Sequence, residues 1–151
     1  MHLEHVNLVV KDLQKSLTFY RAAFPHWKIR AKGEGEWYGK PRTWIHFGDD
    51  YQYLALNDFG EGDNRNLKGH QVGLAHLAYV TNNIDDVTRR LQQAGFSIAN
   101  KGATEPHRRN VYFIDPDGFE IEFVQYLSDL PDQRNAAPAD ILEAANKENV
   151  R

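Results

Sequence analysis

The sequence predicts an α+β fold made of two tandem βαβββ modules. Three observations carry this reading. The chain repeats itself: EHVNLVVKDLQKSLTFY at 4–20 lies without a gap on AHLAYVTNNIDDVTRRL at 75–91, at a constant offset of 76 − 5 = 71 residues. In that overlay His5 falls on His76, Val6 on Leu77, Val9 on Val80, Leu13 on Ile84 and Tyr20 on Leu91. Each copy also opens with a short apolar strand-like run, passes through one stretch of helical spacing, and continues in short β-rich runs broken by Gly and Asp turns.

The elements follow in order. Residues 3–10 are rich in Val and Leu and read as a strand. Asp12 is an N-cap for a helix over 13–24, with Leu13, Leu17, Tyr20 and Phe24 on one face and Pro25 just beyond its end. Strands are expected at 27–31, 43–47 and 51–57, with Gly48-Asp49-Asp50 as a hairpin turn. The stretch from Gly33 to Gly39, with Pro41 and Arg42, reads as a loop or hairpin beside the cleft. Module one is thus 1–57, and a Gly-, Asn- and charge-rich linker follows at 58–73. Module two, 74–127, repeats the order: a strand at 74–80, a helix at 84–94 capped by Asn83 and ended by Gly95, and strands at 96–100, 109–114 and 119–126. Asp115-Pro116-Asp117-Gly118 is the last turn. A tail, 128–151, contains Pro131 and Pro138 and an Ala-rich run at 139–146 that reads as a short helix.

Composition narrows the function classes. The chain has 151 residues, a hydrophobic fraction of 41% and a charged fraction of 26%, which suit one globular domain. A net charge of −3 gives no reason to expect nucleic acid or an anionic membrane as partner. There is no cysteine, so neither disulfides nor thiolate metal ligands enter. The N-terminus lacks the basic and apolar regions of a signal peptide, and no run approaches a membrane span, so a cytoplasmic location is expected.

Strand alternation then selects faces. His5, Asn7 and Val9 share one side of the first strand, and His76, Ala78 and Val80 share one side of its counterpart. Two copies that each place a His near a strand start can build one metal site at their common axis. Glu120, Glu122 and Val124 share a side of the last strand, and Glu122 sits between Ile121 and Phe123. A carboxylate at mid-strand needs a partner if it is buried, and a divalent metal is such a partner. The bland alternative is a cleft in which these groups bind only one another or water.

The run NVYFIDPDGFEIEF at 110–123 resembles the last hairpin of the vicinal-oxygen-chelate superfamily. That superfamily includes glyoxalase I, bleomycin-resistance proteins, extradiol dioxygenases, fosfomycin-resistance enzymes and methylmalonyl-CoA epimerase. The opening HVNLVVKDL and the second-copy HLAYV resemble its other landmarks, and the resemblance covers 2–126. It implies one curved mixed sheet around a metal-binding cleft, with a helix behind each module. It implies His5, His76 and Glu122 as ligands of one divalent metal ion: Fe, Mn, Zn or Ni. Glyoxalase I and the epimerase use a fourth protein ligand from module one. Aligning the hairpin turns places Leu54 opposite Glu122, with Gln52 as the polar neighbour. Leucine cannot ligate, so a three-ligand set with open positions is expected, which favours dioxygenase-like, lyase or ring-opening chemistry.

Around that set, Tyr112 and His46 are the candidates for moving a proton, and His46 titrates near neutrality when unperturbed. Asn7, Trp44 and Leu54 are expected to line the substrate cleft, and Glu120 its rim. His107, Arg108 and Arg109 read as a solvated basic cluster. The partner implied is a small oxygen-chelating molecule, and relatives of this kind often form homodimers. The competing class is a metal-free binding protein of the bleomycin-resistance type.

Overall fold

The computed structural model describes residues 1–102 and 105–135. The expected class and both modules are present. Module one runs β1 (His5–Val9), α1 (Leu13–Ala23), β2 (Lys28–Trp37), β3 (Lys40–Gly48) and β4 (Tyr53–Asn57). Module two runs β5 (Leu77–Val80), α2 (Ile84–Gln93), β6 (Ile98–Asn100), β7 (Arg108–Ile114) and β8 (Glu120–Tyr126). A short helix, α3 (Pro131–Arg134), follows in the tail, while the Ala-rich run at 139–146 lies outside the described residues.

The strands pair as two four-stranded sheets, β1-β4-β3-β2 and β5-β8-β7-β6, rather than as one continuous curved sheet. Within each, the first strand is parallel to the last and the others are antiparallel. The reason lies in what covers the sheets. Leu8, Ile45, Phe47, Leu54 and Leu56 of the first sheet share one buried core with Phe113, Ile121 and Phe123 of the second, through Leu17, Phe19 and Tyr20 of α1 and Ile84, Val87 and Leu91 of α2. The modules therefore meet through their helix-covered sides. Arg90 of α2 reinforces this by donating to the carbonyls of Ala22 and Ala23, at the C-terminal end of α1, at 2.8 and 3.0 Å. Strand alternation then turns the His5 and His76 faces away from the shared core.

Both helix starts behave as read. Asp12 accepts from the backbone N–H groups of Gln14 and Lys15, and Asn83 from that of Asp86. The stretch at 33–39 is strand for most of its length. β2 and β3 form a long hairpin closed by Tyr38 and Gly39, at φ of 51° and 77°, the left-handed pair that a tight two-residue turn requires.

The Asp-Pro-Asp-Gly turn locks the modules together. Asp115 accepts from the backbone N–H groups of Asp117 and Phe119 and from the Tyr20 hydroxyl at 2.8 Å. Asp117 accepts from the backbone of Lys11 and from the Ser16 hydroxyl. Burial pushes the Asp115 carboxyl above its ordinary range, against the pull of these donors. Tyr20→Phe removes a buried donor from a buried carboxyl and is expected to cost about 1–3 kcal/mol. Urea unfolding measures this; an unchanged midpoint and slope would refute the clamp.

Candidate functional site

The second sheet groups one set of the candidate residues. β8 carries Glu122, β7 carries Tyr112 directly opposite it, and His76 immediately precedes β5. His76 Nε2 lies 3.1 Å from Glu122 Oε2, and its Nδ1 lies 3.9 Å from Glu120. Asn110 donates to the other oxygen of Glu122. The Tyr112 ring meets the His76 ring edge-on, with centroids 5.8 Å apart. Glu122 is only 6% exposed, so its charge needs this company. Burial, followed by the hydrogen bond and negative charge of Glu122, pushes the Tyr112 phenol up. Tyr112 therefore stays a neutral hydroxyl near pH 7, able to donate a proton or hydrogen bond.

The first sheet groups a second set. The His5 ring stacks on Tyr53 at 4.8 Å, and His46 lies against both Tyr53 and Trp44, at 4.6 and 4.8 Å. His5 Nδ1 is 2.9 Å from Glu4, which leaves Nε2 as the outward nitrogen. Asn7 accepts from Asn57, a fully buried side chain. His46 has its pKa lowered by burial first, then by the electrostatic influence of neighbouring His5 and Arg30. It is thus held neutral, as a proton acceptor.

Geometry corrects one expected residue. Leu54 is 0% exposed and packs in the helix-side core, so it does not line the cleft. Asn7 pairs with Ala55, and Ala78 pairs with Glu122. Because Asn7 and Ala78 are equivalent in the repeat, Ala55 is the counterpart of Glu122. The turn-based alignment treats the first hairpin as two residues shorter than the second, 54 − 46 = 8 against 122 − 112 = 10, whereas the ladders make it one residue shorter. His46 to Ala55 is 55 − 46 = 9 residues, and the equivalent Tyr112 to Glu122 is 122 − 112 = 10. A one-residue slip moves a side chain to the opposite face of a strand. Alanine is no more a ligand than leucine.

His76, Glu122 and Tyr112 are brought together, and so are His5, His46, Trp44 and Asn7. The two sets are not brought together: among the described residues no three His, Asp or Glu side chains are grouped as a metal would require. Sequence reading missed Tyr53, Asn57 and Asn110. Tyr53 was legible in principle, since it is the residue two before Ala55 on the same face.

The family model for the glyoxalase/bleomycin resistance protein/dioxygenase superfamily matches residues 2–123. The chain belongs to that superfamily. A lactoylglutathione lyase of Neisseria meningitidis serogroup A is 28% identical over 134 residues, 85% of this chain and 93% of that one. The glutathione transferase FosA of Serratia marcescens is 26% identical over 122 residues, 80% of this chain and 77% of its own length. Among solved structures, the fosfomycin resistance protein FosX of Listeria monocytogenes, in complex with Mn(II) and sulfate, shares the fold. It is 21% identical with a TM-score of 0.60, over 88% of this chain and 96% of that one. The superfamily relatives thus include glutathione-linked enzymes and a protein crystallised with a divalent metal, and no described helix here is long and apolar enough to cross a membrane.

Proposed function

We propose that this superfamily member is a divalent-metal-dependent enzyme acting on a small oxygen-chelating molecule, with a site completed by two copies of the chain. The carrying observation is the approach of His76 Nε2 to Glu122 Oε2 at 3.1 Å, with Glu122 buried. Imidazole nitrogen and carboxylate oxygen are donors that first-row divalent metals accept, so the residues fit the ion. His5 of a second copy is the third ligand. β1 and β5 are each the edge of a sheet, with Val9 and Val80 exposed on them, and these edges allow the cleft faces of two chains to close on each other.

The metal, when bound, supplies Lewis acidity toward substrate oxygen. Ala55 at the fourth-ligand position leaves coordination sites for the substrate, which favours Fos-type addition, lyase or ring-opening chemistry over glyoxalase I isomerisation. Neutral Tyr112 donates to the oxygen that gains charge. Neutral His46 accepts the proton from the incoming nucleophile or the carbon acid. Trp44 and Asn7 position the substrate beside His46.

Metal content after loading with Mn(II), Zn(II), Ni(II) or Fe(II) tests the reading. One ion per chain is expected, and catalysis is expected to stop on chelation. No stoichiometric metal, together with ligand binding indifferent to chelator, would replace this reading with a metal-free binding protein. The role of His46 has its own signature. The acid limb of the kcat/KM profile is expected below the ordinary histidine range of about 6.5, because protonation removes the acceptor. His46→Gln is expected to lower kcat by roughly 10²–10⁴-fold and abolish that limb. Retention of the limb would exclude His46 as its source.

A further inference from the structure

The first sheet carries a cation that the metal reading does not use. Arg42 lies on the same face as Trp44 and His46, across the β2–β3 ladder from Gly35. Its guanidinium stacks over the Trp37 ring at 5.0 Å. One terminal nitrogen donates to the buried side chain of Asn57, which itself donates to Asn7 on the His5 strand. Asn57 is neutral, so this contact orients the guanidinium without compensating its charge. The Nε–H is buried and, like those of Arg65 and Arg108, has no acceptor among the described residues; what sets Arg42 apart from Arg108 is the lack of an ion pair with a carboxylate there. An unpaired buried donor on a charged group is costly, and the cost is relieved when an acceptor arrives.

The internal repeat sharpens the point. His46 and Tyr112 are equivalent, so Arg42 and Arg108 are equivalent too, each four residues earlier on its strand. Arg108 is neutralised by Glu105 at 2.6 Å. Among the described residues Arg42 has only a neutral amide in that role. The glycines of β2 shape the surroundings. A Cβ at Gly33 would come within 2.7 Å of the Trp44 ring, so the indole lies directly on that glycine. A Cβ at Gly35 would meet nothing within 4 Å. The floor opposite Arg42 is therefore open, with Trp37 and Trp44 on either side.

We propose that Arg42 is a specificity-determining residue that holds an oxyanion, carboxylate or phosphate-like, of the substrate. This rests on the metal-dependent reading above: the same molecule would present other oxygens to the metal and an intervening apolar part to Trp44. The planar guanidinium fork matches both kinds of oxyanion, and its rigid anchor on Asn57 lowers the ordering cost of binding.

The test uses the full chain without metal, titrated with inorganic phosphate and with acetate. Tryptophan fluorescence and the Arg42 Nε–H resonance report binding. Saturable binding that shifts this resonance is expected for at least one anion, and the preferred anion identifies the oxyanion class. Arg42→Gln is expected to weaken binding about tenfold or more. Gly35→Val keeps the charge, fills the floor and is expected to weaken it as well, so the proposal remains testable if Arg42→Gln fails to fold. Glu122→Gln is expected to leave metal-free anion binding unchanged, which separates failure of this proposal from failure of the metal site. Absence of saturable binding of either anion, or wild-type affinity in both the Arg42 and Gly35 variants, would overturn the assignment.

Discussion

Glu122→Ala is expected to lose metal binding and turnover by more than about 100-fold, since deleting a ligand costs more than the 10–100-fold typical of an outer-sphere partner. His76→Ala should match it. Both changes leave the shared core untouched, because Glu122 and His76 sit on the side of the second sheet away from the helices. The more discriminating result is complementation. His5 is grouped with Tyr53 and His46 on one sheet, and Glu122 with His76 and Tyr112 on the other. If two copies complete each site, a His5→Ala chain co-refolded with a Glu122→Ala chain forms heterodimers with one intact site and one doubly broken site. Random pairing then restores about a quarter of the wild-type sites from two inactive parents. Metal stoichiometry and turnover should both recover to that level. Recovery of neither would place His5 and Glu122 in a site made by one chain, or in no common site.

Leu54→Ala is expected to destabilise the fold by about 2–5 kcal/mol, the range for emptying a fully buried leucine position. Leu54 is 0% exposed among Phe47, Leu8, Leu56 and the α1 residues of the core. Chemical denaturation measures the loss. At temperatures where the variant is folded, its metal affinity and KM should stay within about twofold of wild type, because the side chain faces the helix and not the cleft. A change in KM without a loss of stability would return Leu54 to the substrate wall and refute the register that makes Ala55 the counterpart of Glu122.

Much of this molecule was legible in the chain. The overlay at an offset of 71 residues identified both modules, because each must repeat the same apolar periodicities to cover a sheet with a helix. Asp12 and Asn83 announced the helix starts, since a short side-chain acceptor beside free N–H groups is a local arrangement. The faces of β1, β5 and β8 followed from alternation alone, whereas the pairing of Tyr112 with Glu122 across the last hairpin came from the structure. The lengths of the hairpin connections were less legible. Aligning the turns counted two missing residues between β3 and β4 where the ladders have one, which put Leu54 in the place of Ala55, and no propensity records such a slip. The Asp-Pro-Asp-Gly turn was read as a turn, but its contacts to Tyr20, Ser16 and Lys11 span about a hundred residues of chain and could not be seen locally.

By itself, then, the sequence determined the modules, their elements and which residue types share a strand face, because these depend on periodicity and local hydrogen bonding. Tertiary structure decided how the modules meet. The apolar faces of α1 and α2 and the helix-side strand residues merge into one core that buries apolar surface from both modules. That packing turns the His5 face and the His76–Glu122 face away from it as two separate groups of side chains. It also leaves Arg42 between Trp37 and Trp44 with a buried donor unpaired among the described residues, where Gly33 and Gly35 of β2 and Asn57 of β4 flank it on β3.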